Sequence, residues 1–516
     1  MKAKKIGLLH IILALSVIVS CDDKLNLAPL GELNSETFYR TFEEFEAASL
    51  GPYSTMLNFY FDQNGLGHYN GIERPSDDSR HGGQGSDNND DFIWLPNNGD
   101  FAHIYRESYK GVMRANSILN RIPTSLLTDA EKARFEAEAR FLRGHFYFIL
   151  ATQFGTPPLV TETITSVDDS RIGNSSPGEV FDFVEQDFLF AKENLPAAWD
   201  DDNVGRATSG AAASYLGKVY LYREKYQDAV REFSGVIASQ VYSLTDNFGD
   251  NFAESHQNNS ESIFEIQFSR GDINPWLAVD FGTDANNNIG HAGTGRTINF
   301  RAACFLGNCA PGANGQGYGR IHITQSLQDE FETGDPRIAH TFFVPGENYF
   351  GTPYDPAWSI TGATPSKYIR DYISYAQPNA GSNNERLIRL ADVYLMLAEA
   401  ELLGNNNISR AAELINLVRR RADPGGAILV DRPSAASSDQ MMEWLMHERR
   451  VELALEGHRY NDVVRWHNAG IIDIKTDVDF GSELANQNWS PTHLLKPFPQ
   501  NEIDLVGPAL VQNPGY

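Results

Sequence analysis

Residues 207–238, ATSGAAASYLGKVYLYREKYQDAVREFSGVIA, leave little freedom to any chain that contains them. Leu216, Gly217 and Tyr220 fall on one face of a predicted helix. Ala229, Phe233 and Val236 fall on the facing side of a second, across a turn near Glu224 and Lys225. The small residues Gly217 and Ala229 let two helices approach, and the large ones, Tyr220 and Phe233, fill the space beside them. One such hairpin cannot bury its own apolar face, so it needs neighbours on both sides.

The six positions fit the register of a tetratricopeptide hairpin, and much of the remaining sequence supplies stacking partners. Stretch 38–57 carries Phe38, Phe42, Phe45, Ala48 and Met56 at helical spacing, behind Ser35 and Thr37. Stretch 105–121 repeats the pattern. A long aromatic helix is predicted over 129–153, stopped by Phe154-Gly155-Thr156-Pro157-Pro158, and another over 177–195, stopped by Pro196. From Glu385 helices resume, and Leu397, Ala398, Ala411, Ile415 and Val418 nearly repeat the register of the first hairpin. Stretch 441–455 is amphipathic, Gly457 ends or bends it, and 460–467 continues. Between the two helical blocks the helical period is lost, and IFEIQF at 263–268 alternates as a strand does. The expected architecture is mainly α. A tetratricopeptide-like helical-hairpin scaffold (35–240 and 385–470) carries a loop-rich side (241–384), a few short strands and an extended tail (471–516). All of it lies in a single domain, 21–516, behind a leader at 1–20.

The leader has a basic start, Lys2, Lys4 and Lys5, and an apolar run from Ile6 to Val19 that is short for a membrane span. It ends in Ile18-Val19-Ser20-Cys21, which resembles a bacterial lipobox. Cys21 is therefore the candidate lipidation site, whose acyl chains would anchor the chain firmly to a membrane. The formal net charge of −26 argues against a nucleic-acid partner, because phosphate binding needs clustered Lys and Arg. The other two cysteines, Cys304 and Cys309 in CFLGNC, form either a local disulfide that pins a Gly-rich loop or two free thiols. Outside the cytoplasm the disulfide is expected. The loop offers too few ligands for a metal.

Motifs for catalysis fail on inspection. His447-Glu448 lacks the second His of a zincin, since Val451 stands in its place. Asp87, Asn89 and Asp91 imitate the start of a calcium loop, but Phe92 and Asn98 occupy the positions that need Gly and Glu. No catalytic residue, metal or cofactor is expected. Aromatic and polar residues in the loops suit a sugar, whose C–H faces stack on rings while its hydroxyls pair with charged and amide groups. The candidates are Trp276, Tyr318, Tyr354 and Trp358, with Asp77, Asp78, Arg80 and Arg370 as polar partners. Asp77 and Asp78 would also serve a glycosidase that works with paired carboxylates. Trp94, Trp444 and Trp466 are expected to be packing residues. Glu448, Arg449, Arg450, Glu452 and Glu456 are expected to pair structurally along one helix.

Several motifs in order resemble the SusD/RagB family of outer-membrane nutrient-binding lipoproteins of Bacteroidetes. They are the lipobox at Cys21 with Asp22 and Asp23 after it, FEAEARFLRGHFYF at 135–148, and Arg206-Ala207-Thr208. RLADVYLMLAEAE at 389–401, ERRVELALEGHRYNDVVRW at 448–466 and the terminal PQNEIDL…QNPGY complete the set. PFPQNEI stands where the family often has PIPQxEI. The resemblance implies a cell-surface binding protein, not an enzyme. Such a protein captures oligosaccharide, or in some members peptide, and delivers it to a SusC-like TonB-dependent transporter. It also implies that the helical repeats dock on the transporter and that the loop-rich side holds the ligand.

Overall fold

The computed structural model describes residues 38–60, 69–81, 89–164, 166–268, 321–349, 351–370 and 383–516. The first half contains α1 (Phe42–Tyr60), the two-residue strand β1 (Ser79–Arg80), α2 (Gly99–Arg121), α3 (Asp129–Phe154) and α4 (Pro177–Asn194), then the hairpin α5 (Ser209–Tyr222) and α6 (Tyr226–Ala238). Successive helices are spatial neighbours from α1 to α6, the pairwise stack that the hairpin demands. The six register positions of the hairpin are all buried. A Cβ on Gly217 would stand 2.6 Å from the Phe233 ring, so glycine sets the distance between these helices.

Local chemistry fixes the helix ends. Thr128 with Glu131 and Ser176 with Glu179 form reciprocal capping boxes at the starts of α3 and α4. α2 starts earlier than its apolar period indicates, because Asn98 Oδ1 accepts from the backbone N–H groups of Asp100 and Phe101.

The second half begins with β2 (Ser262–Ile266), β3 (His322–Ile323), α7 (Gln325–Glu330), α8 (Ile338–Thr341), β4 (Phe342–Phe343), β5 (Asn348–Tyr349), β6 (Thr352–Pro353), β7 (Thr364–Pro365) and β8 (Glu385–Arg389). There follow α9 (Leu390–Asn405), α10 (Ile408–Ala422), α11 (Ser438–Leu453), α12 (Arg459–Asn468), α13 (Ile474–Asp477), α14 (Glu483–Asn488) and α15 (Gln500–Val506). The strands form antiparallel pairs β1–β3, β2–β8, β4–β7 and β5–β6. Three expectations are corrected. Glu385–Arg389 is a strand paired with β2, and the helix starts only at Leu390. The tail is not extended throughout, since α13, α14 and α15 lie within it. Gly457 does not end the helix before it: that helix stops at Leu453, and Gly457 lies in the following turn, in the left-handed region at φ 75°.

α9 joins the two halves by packing on α6, α10 and α11. One apolar core includes residues from Met56 to Leu510. The C-terminal segment closes it: the Asn513 side-chain amide donates to the carbonyls of Phe154, at the end of α3, and of Lys496.

A buried ionic joint fastens the loop-rich side to the scaffold. Arg337, before α8, donates to Glu448 at 2.5 Å and to Glu452 at 3.1 Å, both on α11. Arg389, at the end of β8, reaches Glu261 at 2.8 Å, Glu452 at 2.6 Å and Glu456 at 2.8 Å. Arg421 of α10 bridges Glu261 and Glu452, and Lys367 pairs with Glu456 at 2.8 Å. Burial pushes the Glu452 carboxyl up, but Arg421, Arg389 and Arg337 outweigh it and hold it well below the usual carboxylate range. The α11 charges therefore pair across elements, not along their own helix.

Candidate ligand-binding face

α11 and α12 also place the first of the expected site residues. Arg459 grips Asp77 with two bonds of 2.8 Å, and Arg450 donates to Asp78 at 2.9 Å and also reaches Asp77. Thr324 ties the same segment to α7 by donating to the carbonyls of Asp77 and Asp78. Asp77 and Asp78 are each only 2% exposed. Burial raises the Asp77 carboxyl, but Arg450 and Arg459 bring it down to about 2. For Asp78 burial wins over Arg450, and the neighbouring Asp77 adds to the rise. The expectation that these two carboxylates meet sugar hydroxyls, or act as a glycosidase pair, is corrected on access: they anchor β1 from behind.

β1 carries that anchor to the surface. Arg80, the second residue of the strand, pairs with Asp91 at 2.8 Å and Asp90 at 3.3 Å and keeps part of its side chain exposed. It stands opposite His322 in the β1–β3 ladder. His322 Nδ1 accepts from the backbone N–H of Ile360 at 3.1 Å and lies 2.6 Å from the Ser359 hydroxyl. This brings the 354–360 turn, with Tyr354 and Trp358, beside Arg80.

Tyr354 and Trp358 belong to an aromatic set with Phe343 and Tyr349. Their ring centroids lie 5.7 Å apart, Tyr349 is 5.5 Å from Trp358, and Phe343 stacks on Tyr354 at 5.9 Å. Tyr354 is an interior member at 2% exposure; burial pushes its hydroxyl up to about 12, and it donates to Thr364 Oγ1 at 2.9 Å. Tyr354 thus supports the face from within. Trp358 is buried too, with 9% of its surface accessible. Arg370 lies 4.6 Å over the Phe343 ring and pairs with Glu347 at 2.9 Å, leaving its side chain 24% exposed. The exposed Ile360 extends the apolar surface beside Trp358. Ring contacts thus link the buried Trp358 through Tyr354 and Phe343 to Arg370, and Arg80 joins this region through its strand partner His322.

Sequence inspection missed His322, Ser359 and the Phe343–Tyr349 pair, because strands of two residues carry no readable period. Cys21, Trp276, Tyr318, Cys304 and Cys309 lie outside the described residues. Asn89 donates to Asp100 and accepts from Asn98, and Asp91 accepts from Arg80, so both are engaged within the protein. Among the described residues no cluster of metal ligands occurs. Trp94 and Trp466 are buried as expected; Trp444 is only partly buried, beneath Arg432. Among the described residues no helix is long and apolar enough to cross a membrane.

Comparison with known proteins agrees with this architecture. A model described as the SusD family matches residues 260–516, and one described as starch-binding, associating with the outer membrane, matches 73–221. A SusD-like protein of Formosa agariphila is 25% identical, over 96% of this chain and 97% of its own. The crystal structure of a SusD homolog from Bacteroides thetaiotaomicron superposes with a TM-score of 0.76 at 23% identity, covering 93% of this chain and 98% of that one. A laminarin-binding SusD-like protein gives 0.72 at 27% identity, covering 93% and 100%. With both family models and relatives of matching length in agreement, the chain belongs to the SusD family.

Proposed function

We propose that this protein binds an oligosaccharide at the cell surface, on the face formed by Arg80, Trp358 and Arg370, without altering it chemically. In this reading lipid on Cys21 holds it to the outer membrane, and it passes its cargo to a partner TonB-dependent transporter. The observation that carries the glycan assignment is the likeness to a laminarin-binding relative at 27% identity along nearly the whole chain. The face is chemically suited to it: the exposed Ile360 beside Trp358 for the apolar side of a sugar, and two partly exposed arginines for its hydroxyls.

Affinity gel electrophoresis and calorimetry against laminarin, starch and a panel of other polysaccharides test this. Retardation by at least one glycan, weakened in Trp358→Ala and Arg370→Ala, is the expected result. No retardation by any glycan, with tight binding of peptides, would replace sugar with peptide as the cargo. Release of shorter products from the glycan would make the protein a hydrolase.

A further inference from the structure

A cleft of about 270 Å³ opens between the loop from α4 to α5, the segment after α6 and the turn into β2. None of its lining residues belongs to the Arg80, Trp358 and Arg370 face. The loop lies close against the turn because position 205 is glycine: at φ 92° a Cβ there would collide with the Gln267 side chain. Gln267 in turn exchanges two amide hydrogen bonds of 2.9 Å with Asn258. Trp199 and Tyr242, both half-buried, form the aromatic wall of the cleft. The indole N–H of Trp199 donates to the Ala207 carbonyl at 2.8 Å, and Arg134 lies 4.9 Å over its ring. The Tyr242 hydroxyl stands 2.9 Å from Thr208 Oγ1, at the start of α5. Rings fixed in this way lose little freedom when a ligand arrives. The exposed Val204 and Val241 continue the apolar surface at the rim.

The polar groups of the cleft are neutral or already neutralised. Asn258 and Ser260 stand exposed at its edge. Asn258 spends one N–H and one lone pair on Gln267 and keeps a second of each. Ser260 donates to the Ser243 carbonyl at 3.1 Å, and its oxygen still accepts. Of the charged lining residues, Arg206 pairs behind the cleft with Glu138 at 2.7 Å and with Glu46. Glu265 pairs with Arg386 at 3.2 Å and accepts from the Asn384 amide at 2.8 Å. Asp200, Asp201 and Asp202 are exposed on the loop that carries Trp199, so an anionic ligand is repelled. From fixed rings, aliphatic rim, neutral hydrogen-bonding groups and paired charges we infer that this cleft is a second saccharide site, for a neutral sugar. The C–H face of the sugar lies on Trp199 and Tyr242, and its hydroxyls pair with Asn258 and Ser260. The volume falls just under the range of about 300–1,000 Å³ of drug-sized sites, which suits one or two sugar rings at a glycan end or branch. The inference concerns this cleft alone and holds whether or not the Arg80 face takes sugar.

Saturation-transfer NMR and calorimetry on the full chain test it. The probes are laminaribiose, maltose, cellobiose, mannobiose and xylobiose, with digalacturonate as the anionic control. The ligand face is first disabled by Arg80→Ala with Arg370→Ala, both partly exposed. The expected result is that this variant still binds at least one neutral probe and does not bind digalacturonate. Adding Val204→Glu with Val241→Glu, at two exposed rim positions, weakens that binding by at least about tenfold. Circular dichroism and thermal melting verify that each variant is folded. Binding of no neutral probe by the folded face-disabled variant overturns the inference, and wild-type binding of a probe would in that case leave the Arg80 face standing. Binding that survives the two glutamates, or digalacturonate bound as tightly as the neutral probes, overturns it as well.

Discussion

Glu452→Gln is the most direct probe of how the loop-rich side is held. Glu452 receives Arg389 at 2.6 Å and Arg337 at 3.1 Å, and also pairs with Arg421, with its side chain fully buried. Glutamine keeps the shape but removes the charge and turns one acceptor oxygen into a donor that faces guanidinium groups. Removing one partner from a buried pair costs about 3–5 kcal/mol, chiefly because the remaining charge stays buried and uncompensated. At about 2.1 cal/mol/K per residue the chain of 516 residues has an unfolding entropy of about 1 kcal/mol/K, so Tm falls by about 3–5 °C at pH 7. The Glu452 pKa is depressed in the folded protein. Its contribution is therefore complete above about 4.3, the unfolded value, and is lost as pH falls through the folded one. The gap between variant and wild type must narrow in acid. Calorimetric melts at pH 7 and pH 3 measure both effects, with exposed Glu443→Gln as control. Equal melting temperatures at pH 7, or a gap that widens in acid, would refute the assigned role of the joint.

Three further outcomes are expected. Gly217→Ala gains about 1 kcal/mol of helix propensity, yet its methyl must displace the Phe233 ring; the net result is destabilisation in urea melts, relieved in Gly217→Ala/Phe233→Leu. A more stable single variant would disprove the tight approach. Lys496 sits against Trp94 and Phe101, and burial lowers its amine to about 7. The unfolded chain binds the extra proton up to about 10.4, so wild-type stability rises from pH 7 towards that value, and Lys496→Met loses this rise. Equal urea midpoints for wild type at pH 7 and 9.5 would contradict it. Arg370→Ala weakens binding of the retarding glycan by about tenfold, as one charge-assisted contact would, with little loss of Tm because its ion pair is partly solvated. Unchanged affinity would remove Arg370 from the face.

What the sequence discloses follows from the range of the forces involved. The hairpins were legible because helical period and small-against-large pairing are local, and Leu216, Phe233, Leu397 and Ile415 are buried where that period puts them. Capping boxes at Thr128 and Ser176 are equally local. The charges of α11 were misjudged as neighbours on one helix, since Glu448 meets Arg337 and Arg419, and Arg449 meets Asp392 and Asp462. Nothing within a window of a few residues reveals such partners. The same blindness made Asp77 and Asp78 look like surface acids in a polar loop, although Arg459 and Arg450, more than 370 positions later, bury them.

The Asn513 amide that closes the core is 359 positions from the Phe154 carbonyl it serves. The end of a helix synthesised early therefore waits for a residue made 359 positions later before its carbonyl has this partner. Contacts of such span slow folding, because loop closure must precede the reward. During synthesis the N-terminal stack stands for a time with part of its apolar edge uncovered, and a chaperone has its best opportunity there.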